Sequence, residues 1–183
     1  MAQDNAQTGN LLVISAIGSD RPGLVAELSE IVLNSGCNIE DSRMSVLGGE
    51  FALIMLASGK WNSIAKLESA LPAAGQRLGL TVTSRRTQQR PQDSAAVPYS
   101  VEVVSLDHPG IVNQLAGFFS SRGINIHDLY TGSYRAAHTG TPMFSLTMTI
   151  EIPADTHIAA LREQFMEFCD QLNLDAVMEP VKI

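Results

Sequence analysis

An Asp-x-Pro-Gly tetrapeptide occurs twice in the sequence, at residues 20–23 and again at 107–110. Asp20 or a neighbour can cap a following helix, Pro22 has the fixed φ suited to a first helical turn, and Gly23 leaves an approaching ligand unobstructed. Unpaired N–H groups at a helix N-terminus attract a carboxylate. The pattern therefore predicts a carboxylate-binding turn, although the same residues also begin a helix well on structural grounds alone.

Polar side chains follow the first predicted helix of each copy. Asn38 and Asp41 open the next strand, and Asn125 and Asp128 stand at the corresponding places in the second copy. An amide and a carboxylate could together hold the ammonium and carboxylate groups of a free amino acid. The alternative is that Gly-Cys-Asn-Ile forms a turn in which the Asn side chain bonds to its own backbone.

Nothing in the sequence has the pattern of a catalytic or metal site. The four histidines lack metal-ligand spacing, and Ser, Cys and His form no recognisable nucleophile arrangement. We therefore expect no catalytic residue, no metal and no cofactor. Acylphosphatases, which share the fold predicted below, use an arginine and an asparagine. Arg21 and Asn38 match these superficially, but His108 replaces the arginine in the second copy.

The two tetrapeptides belong to an internal repeat. Residues 20–41 and 107–128 align without gaps and are identical at nine of 22 positions. Apolar residues recur at i, i+1, i+4, i+7 and i+8 in both copies, which predicts one buried helix face in each. These residues are Leu24, Val25, Leu28, Ile31 and Val32 in the first copy, and Ile111, Val112, Leu115, Phe118 and Phe119 in the second.

Each copy has the predicted order βαββαβ. In the first copy we expect strands at 11–17, 37–47, 50–58 and 80–86, and helices at 22–35 and 61–78. Gly36 should end the first helix, Gly48-Gly49 should form a hairpin turn, and Pro72 should kink or break the second helix. In the second copy we expect strands at 99–106, 124–134, 142–152 and 174–182, and helices at 109–122 and 156–172.

This order predicts an α+β fold of two tandem ferredoxin-like domains. In each, a four-stranded antiparallel sheet carries both helices on one face. The domains should span residues 11–86 and 99–183, with a polar, proline-containing linker at 87–98 and a disordered segment at 1–10. Pairing or packing of the sheets through their exposed edges would cover the edge strands.

The charge distribution disfavours direct binding to nucleic acid. Residues 1–92 carry eight basic and eight acidic side chains, whereas residues 93–183 carry four and eleven, so the net charge of −7 lies in the second half. An acidic protein repels the phosphate backbone. The RNA-recognition domains that share this fold also need aromatic residues on the middle strands, where this sequence is aliphatic. The polar N-terminus, the two separated cysteines and the lack of a long apolar run predict a cytoplasmic protein without a membrane segment.

The two Asp-x-Pro-Gly turns and residues 36–43 (GCNIEDSR) resemble ACT domains, the ferredoxin-like modules that bind amino acids and regulate metabolism. Residues 37–64 more narrowly resemble a family of tandem ACT repressors of the glycine cleavage genes. That resemblance implies a non-catalytic regulator that senses a small amino acid, with glycine favoured. It also implies that repression acts through a LysR-type transcriptional activator and not through DNA contact, and it leaves a homodimer possible.

The ligand contacts of the family carry over, by resemblance, to the two turns and to the polar residues after the first helix of each copy. They correspond to Asp20, Pro22, Gly23, Leu24, Asn38 and Asp41, and to Asp107, Gly110, Ile111, Asn125 and Asp128. The copies differ elsewhere, since His127 stands where the first copy has Glu40, so the two sites should not be equivalent. An ACT regulator that senses an amino acid and acts on an enzyme or a nitrogen-signalling partner is the alternative function.

Overall fold

The structure is a computed structural model that describes residues 10–88 and 96–181. These residues form two compact units, unit 1 (10–88) and unit 2 (96–181). Each contains one four-stranded antiparallel sheet and two helices. The predicted α+β class, with two tandem ferredoxin-like domains, is therefore confirmed. The predicted disordered segment lies outside the described residues except for Asn10, which begins the first strand.

Unit 1 has the sheet order β2-β3-β1-β4, in which every neighbouring pair is antiparallel. Its elements are β1 (Asn10–Ser19), α1 (Leu24–Asn34), β2 (Asn38–Leu47), β3 (Glu50–Gly59), α2 (Trp61–Leu78) and β4 (Thr81–Thr87).

Unit 2 repeats this arrangement with the sheet order β6-β7-β5-β8. Its elements are β5 (Val97–Leu106), α3 (Ile111–Ser120), β6 (Asn125–Arg135), β7 (Pro142–Ile152), α4 (Ile158–Gln171) and β8 (Asp175–Pro180). Strand β4 includes Thr87, and strand β5 includes Val97 and Pro98, so both strands extend into the range predicted as a linker, 87–98. Residues 89–95 lie outside the described part of the chain.

The core of unit 1 lies between the sheet and its two helices. Alternate side chains of β1 and β3 point into it, because successive residues of a strand face opposite sides. On α1 the buried residues are Leu24, Leu28 and Val32. The prediction that Val25 belongs to the buried face is wrong, since its side chain is 49% exposed. Val25 is apolar, and this was the only ground for placing it on the buried face. Its position does not fit that face, because position i+1 on a helix turns about 100° away from position i.

The core of unit 2 is more aromatic. Phe119 of α3 packs on Phe165 of α4 with ring centroids 5.1 Å apart, and Phe118 meets both rings at 5.3 Å. Ile111 and Leu115 are buried beside them. Val112 is 36% exposed and so repeats the error made at Val25, for the same reason.

Glycines end the first helix and form the first hairpin, as predicted. Gly36 has φ 74° after α1, and Gly48 and Gly49 have φ 61° and 85° in the two-residue turn between β2 and β3. Positive φ at both positions is what a tight hairpin turn requires. The corresponding connection in unit 2, residues 136–141, is longer and is closed by a hydrogen bond from Ala136 N–H to the Thr141 carbonyl oxygen, 2.9 Å.

Helix α2 runs without a break through Pro72, contrary to the alternative of a helix broken there. Pro72 lies on the exposed side of α2. The missing N–H would have bonded to the Glu68 carbonyl, and a carbonyl on the solvent side of a helix can bond to water instead. None of the helices described is long and apolar enough to cross a membrane.

Candidate functional site

Both Asp-x-Pro-Gly turns end in a left-handed glycine. Gly23 has φ 95° and precedes α1, and Gly110 has φ 100° and precedes α3. The two helices begin only at the next residue, and no side chain of the described residues caps either of them. The predictions that Asp20 or a neighbour caps the helix and that Pro22 lies in its first turn are therefore wrong. Gly23, in the left-handed conformation, lies between these residues and the first residue of the helix.

The aspartates of the turns hold the turn against the neighbouring hairpin. Asp20 donates its N–H to the Gly49 carbonyl oxygen and Asp107 donates to that of Pro142, each at 3.1 Å. The Asp107 carboxylate also accepts a hydrogen bond from the Ser133 hydroxyl, 3.1 Å away. These contacts fix where each helix starts relative to its sheet.

The helix N-termini present backbone N–H groups. The first carbonyl-to-amide bonds run from Glu27 N–H to Gly23 O (2.9 Å) and from Gln114 N–H to Gly110 O (3.0 Å), so the three preceding N–H groups have no intrahelical acceptor. Leu24 and Ile111 are buried in the core by their side chains. They can meet a ligand only through the backbone.

An ion pair lies beside the turn of unit 1 and was missed from the sequence. Arg21 Nη1 donates to Glu27 Oε1 at 2.7 Å and to the Pro22 carbonyl oxygen at 3.3 Å. This hydrogen bond from Arg21 holds the pKa of Glu27 below its ordinary value. The two residues are six positions apart, a separation that no regular helix periodicity brings together, so only the turn geometry reveals the pair.

The same place in unit 2 has no Arg–Glu ion pair. Gln114 replaces Glu27, and His108 replaces Arg21 and contacts the Pro109 carbonyl oxygen at 3.1 Å. A β-carbon added at Gly110 would meet no atom within 4 Å, whereas one added at Gly23 would lie 3.6 Å from Glu27 and 3.9 Å from Arg21. The two turns share a backbone but differ in what surrounds it.

A β-bulge at Glu40 shapes the start of β2. The register with β3 shifts between Ile39 and Asp41. Glu40 Oε1 accepts hydrogen bonds from the Ser58 hydroxyl and from Asn38 Nδ2, the latter at 3.2 Å. Both bonds, that from Ser58 first, lower the pKa of Glu40. The Asn38 amide thus donates to the Glu40 side chain, which differs from the local Asn turn considered as an alternative.

Unit 2 has a bulge at the corresponding place, with the charges rearranged. The register shifts between Ile126 and Asp128, so His127 is the inserted residue. Its ring nitrogens lie 3.5 Å from Glu151 Oε1 and 3.7 Å from Asp128 Oδ2. Asn125 Nδ2 donates to Glu151 Oε2 at 3.1 Å. Unit 1 therefore holds a carboxylate with neutral donors, and unit 2 holds an imidazole between carboxylates.

Asp41 pairs within its own strand. Its Oδ1 accepts from Ser42 N–H at 2.8 Å and from the Arg43 guanidinium. Asp41 lies opposite Leu56, and Arg43 lies opposite Ile54. Both therefore project from the sheet face that the helices leave open.

The structure does not bring the turn and the Asn-Asp pair of one unit together. Asn38 lies opposite Ser58, whereas the turn lies beside Glu50 at the other end of β3, a separation of about 26 Å at roughly 3.3 Å per residue. Asn125 and the turn of unit 2 are separated in the same way along β7. Within a unit the predicted ligand residues thus form two separate groups, one at the turn and one at the start of the strand after the first helix.

A shallow groove adjoins Asn125. It has a volume of about 470 Å³ and is lined by Asn113, Ala116, Gly117 and Ser120 of α3 and by Ile124, Asn125 and Ile126. Within residues 10–88 and 96–181, no group of three or more His, Cys, Asp or Glu side chains is arranged to hold a metal ion.

Comparison with known proteins follows the division into two units. Residues 10–84 match the ACT domain family, and residues 101–171 match the AHAS small subunit-like ACT domain. The glycine cleavage system transcriptional repressor of Escherichia coli (strain K12) is 36% identical over 162 residues, which is 88% of this chain and 85% of that protein. The chain belongs to this family of tandem ACT-domain repressors.

Further similarities agree with the repressor family. A crystal structure of a protein provisionally named a glycine cleavage system transcriptional repressor has a TM-score of 0.73 and 30% identity, covering 95% of this chain and 98% of its own. A UPF0237 protein of Methanopyrus kandleri is 42% identical over 72 residues, which is 38% of this chain and 80% of that protein. As a member of the repressor family, the chain is a regulatory ACT protein and not an enzyme.

Proposed function

We propose that the protein represses the glycine cleavage genes from the cytoplasm by binding a LysR-type activator, and that glycine controls this binding. The similarity to the Escherichia coli repressor along 88% of the chain carries the proposal. The net charge of −7 supports a protein partner over DNA, because phosphate repels an acidic surface.

In the proposed complex the glycine carboxylate meets the free N–H groups at the start of α1. The helix dipole favours an anion there, and left-handed Gly23 leaves the approach open. The Arg21 guanidinium would supply a further contact to the glycine carboxylate, because its Nη1 lies 3.9 Å from the point where a β-carbon of Gly23 would stand. Asp20, Pro22 and Leu24 form the walls and backbone of this turn, as Asp107 and Ile111 do in unit 2.

A competing ligand position is the bulged end of β2, where Asn38 and Asp41 would hold the amino acid, with Asn125 and Asp128 as the equivalents in unit 2. By the spacing along β3, Asn38 lies about 26 Å and Asp41 about 20 Å from the turn of unit 1, so one ligand molecule within a unit cannot use both positions. Two variants can therefore distinguish the positions.

Calorimetric titration of glycine into the wild type, Arg21→Gln and Asn38→Ala tests the site. Loss of a hydrogen bond to a charged group costs about 1.5–3 kcal/mol, so Arg21→Gln should weaken binding by roughly tenfold or more, with Asn38→Ala unchanged. Arg86→Gln is the matched control, because Arg86 binds Glu68 and lies at the end of β4 away from the turn. If only Asn38→Ala weakens binding, the ligand lies at the bulge; if no glycine binds the wild type, the sensing role is wrong.

Partner binding is tested separately. The purified protein and a LysR-type activator of glycine cleavage genes should co-elute in size-exclusion chromatography, and glycine should dissociate them. A pair that never associates would contradict repression through the activator, whether or not glycine binds.

One observation favours a second candidate, a regulatory subunit of an enzyme. Unit 2 matches an ACT family that is described by its likeness to the AHAS small subunit. In that case the protein would change the turnover of an enzyme partner in response to an amino acid, and it would leave the activator unbound.

A further inference from the structure

Glu27 lies beside the turn that precedes α1. It is the fourth residue of the helix, and a helical side chain points back toward the N-terminus of its own helix. Its Oε1 atom lies 3.6 Å from the point where a β-carbon of Gly23 would stand, and Arg21 Nη1 lies 3.9 Å from that point. A carboxylate of the protein itself therefore stands next to Gly23, where the glycine carboxylate is proposed to bind.

The Nη1 atom of Arg21 already uses both of its N–H groups. One donates to Glu27 Oε1 at 2.7 Å, and the other donates to the Pro22 carbonyl oxygen at 3.3 Å. The Pro22 oxygen is fixed by the backbone of the turn, whereas the Glu27 carboxylate is on a rotatable side chain that is 37% exposed. A ligand carboxylate that binds Nη1 must therefore displace Glu27.

A displaced Glu27 carboxylate has a second cation near it. The hydrogen bond from Arg21 is the main cause that lowers the Glu27 pKa, and the charge of Arg77, in the last turn of α2, lowers it as well. Asp20 and Glu30, the nearest carboxylates along the chain, form no ion pair with Arg21 among the described residues. Glu27 is therefore the carboxylate that a ligand has to replace on Arg21.

The turn of unit 2 has no corresponding carboxylate. Gln114 stands at the place of Glu27, and a β-carbon added at Gly110 would meet no atom within 4 Å. The side chain of Gln114 is neutral, so it does not compete with a ligand carboxylate for a cation. The turns have the same backbone conformation, and the competing carboxylate is a feature of unit 1.

We propose that Glu27 is an internal competitor for the ligand carboxylate, and that glycine binds at the turn of unit 1 by replacing Glu27 on Arg21. This inference rests on the proposed function, in which a glycine carboxylate meets this turn. The exchange lowers the affinity of the turn, and it selects ligands that carry a carboxylate, because a neutral group does not replace the ion pair. Exposed ion pairs change an equilibrium by a factor of roughly two to five, so the affinity should be lowered by about that factor.

Calorimetric titration of glycine into a double-mutant cycle tests the exchange. Glu27→Gln should bind glycine about two- to fivefold more tightly than the wild type, because Arg21 is then available to the ligand. The same substitution made in Arg21→Gln should bring no gain, because the cation for which the two carboxylates compete is absent. Glu68→Gln, which removes the carboxylate that Arg86 binds on α2, is the matched control and should leave the affinity unchanged.

The Glu27 carboxyl group gives a second readout, which is specific to this turn. In a carboxyl-detected NMR titration, saturating glycine should raise the Glu27 pKa toward its ordinary 4.5, because the hydrogen bond from Arg21 passes to the ligand. The Glu68 carboxyl group, titrated in the same experiment, should not respond to glycine.

Circular dichroism of every variant separates a change in binding from a change in fold. The exchange would be overturned if Glu27→Gln brought no gain, or if it brought the same gain with and without Arg21, which would indicate simple charge repulsion. A Glu27 pKa that saturating glycine does not move would overturn it too. These results would leave glycine sensing intact, whereas a wild type and a Glu27→Gln variant that both bind no glycine would overturn the sensing role together with the exchange.

Discussion

At the scale of single residues, two glycines of the same helix region should respond oppositely to alanine. Gly110→Ala should destabilise unit 2 by about 1–2 kcal/mol, because an L side chain at φ 100° meets the following carbonyl. Gly117 lies inside α3 with open space around it, so Gly117→Ala should stabilise by roughly 0.4–1 kcal/mol. Urea denaturation monitored by circular dichroism measures both, and equal effects would contradict the left-handed turn.

Glu27 should show the pH effect of its ion pair. Arg21 holds its pKa below the ordinary 4.5, so the folded protein binds the proton less readily than the unfolded chain. The pair's stabilisation is therefore present above the unfolded pKa and is lost as pH falls through the folded pKa. A carboxyl-detected NMR titration should show the Glu27 pKa rising toward 4.5 in Arg21→Gln.

The matched control for Glu27 is Arg86→Gln. Arg86 binds Glu68 on α2 through two hydrogen bonds, at 2.8 and 3.0 Å, and does not contact Glu27. The Glu27 titration should be unchanged in this variant. A shift as large as that in Arg21→Gln would mean that the general charge of unit 1, and not the pair, sets the Glu27 pKa.

At the scale of elements, the first helix of each unit should be held by its buried leucine. Leu28→Ala and Leu115→Ala should each destabilise the protein by roughly 2–5 kcal/mol, the usual cost of emptying a buried leucine site. Val25→Ala and Val112→Ala remove apolar atoms from exposed positions and should cost under about 0.5 kcal/mol. Chemical denaturation of the four variants checks this, and comparable losses at all four positions would mean that the helix faces are misassigned.

The elements themselves were largely predictable, because the strands alternate and the helices carry a regular apolar stripe. Helix α2 was predicted over 61–78, and it spans Trp61–Leu78. Of the predicted kink or break at Pro72, the break does not occur, because Pro72 faces solvent and the sequence does not show this. The site was less predictable. The bulges at Glu40 and His127 insert a residue that no periodicity signals, and only the register of β2 on β3 shows that Asn38 and the turn lie at opposite ends.

At the scale of the whole molecule, the purified protein alone should bind no promoter DNA specifically. Its net charge of −7 opposes the phosphate backbone. An electrophoretic mobility assay of the protein alone, at physiological salt with competitor DNA, should show no shift. A mixture of the protein with the activator should shift the promoter DNA. A specific shift by the protein alone would contradict regulation through a protein partner.

The unequal hairpins of the two units have a practical consequence for labelling the protein in cells. An epitope or fluorescent reporter placed between Gly48 and Gly49 would destroy a turn that depends on positive φ at both residues. The loop at 136–141 is exposed at Ala137 and His138 and already departs from a tight turn. Lengthening such a loop costs only about 0.6 kcal/mol per doubling. A tag between Ala137 and His138 should therefore leave the thermal unfolding of the protein nearly unchanged, while the same tag at 48–49 should lower its midpoint.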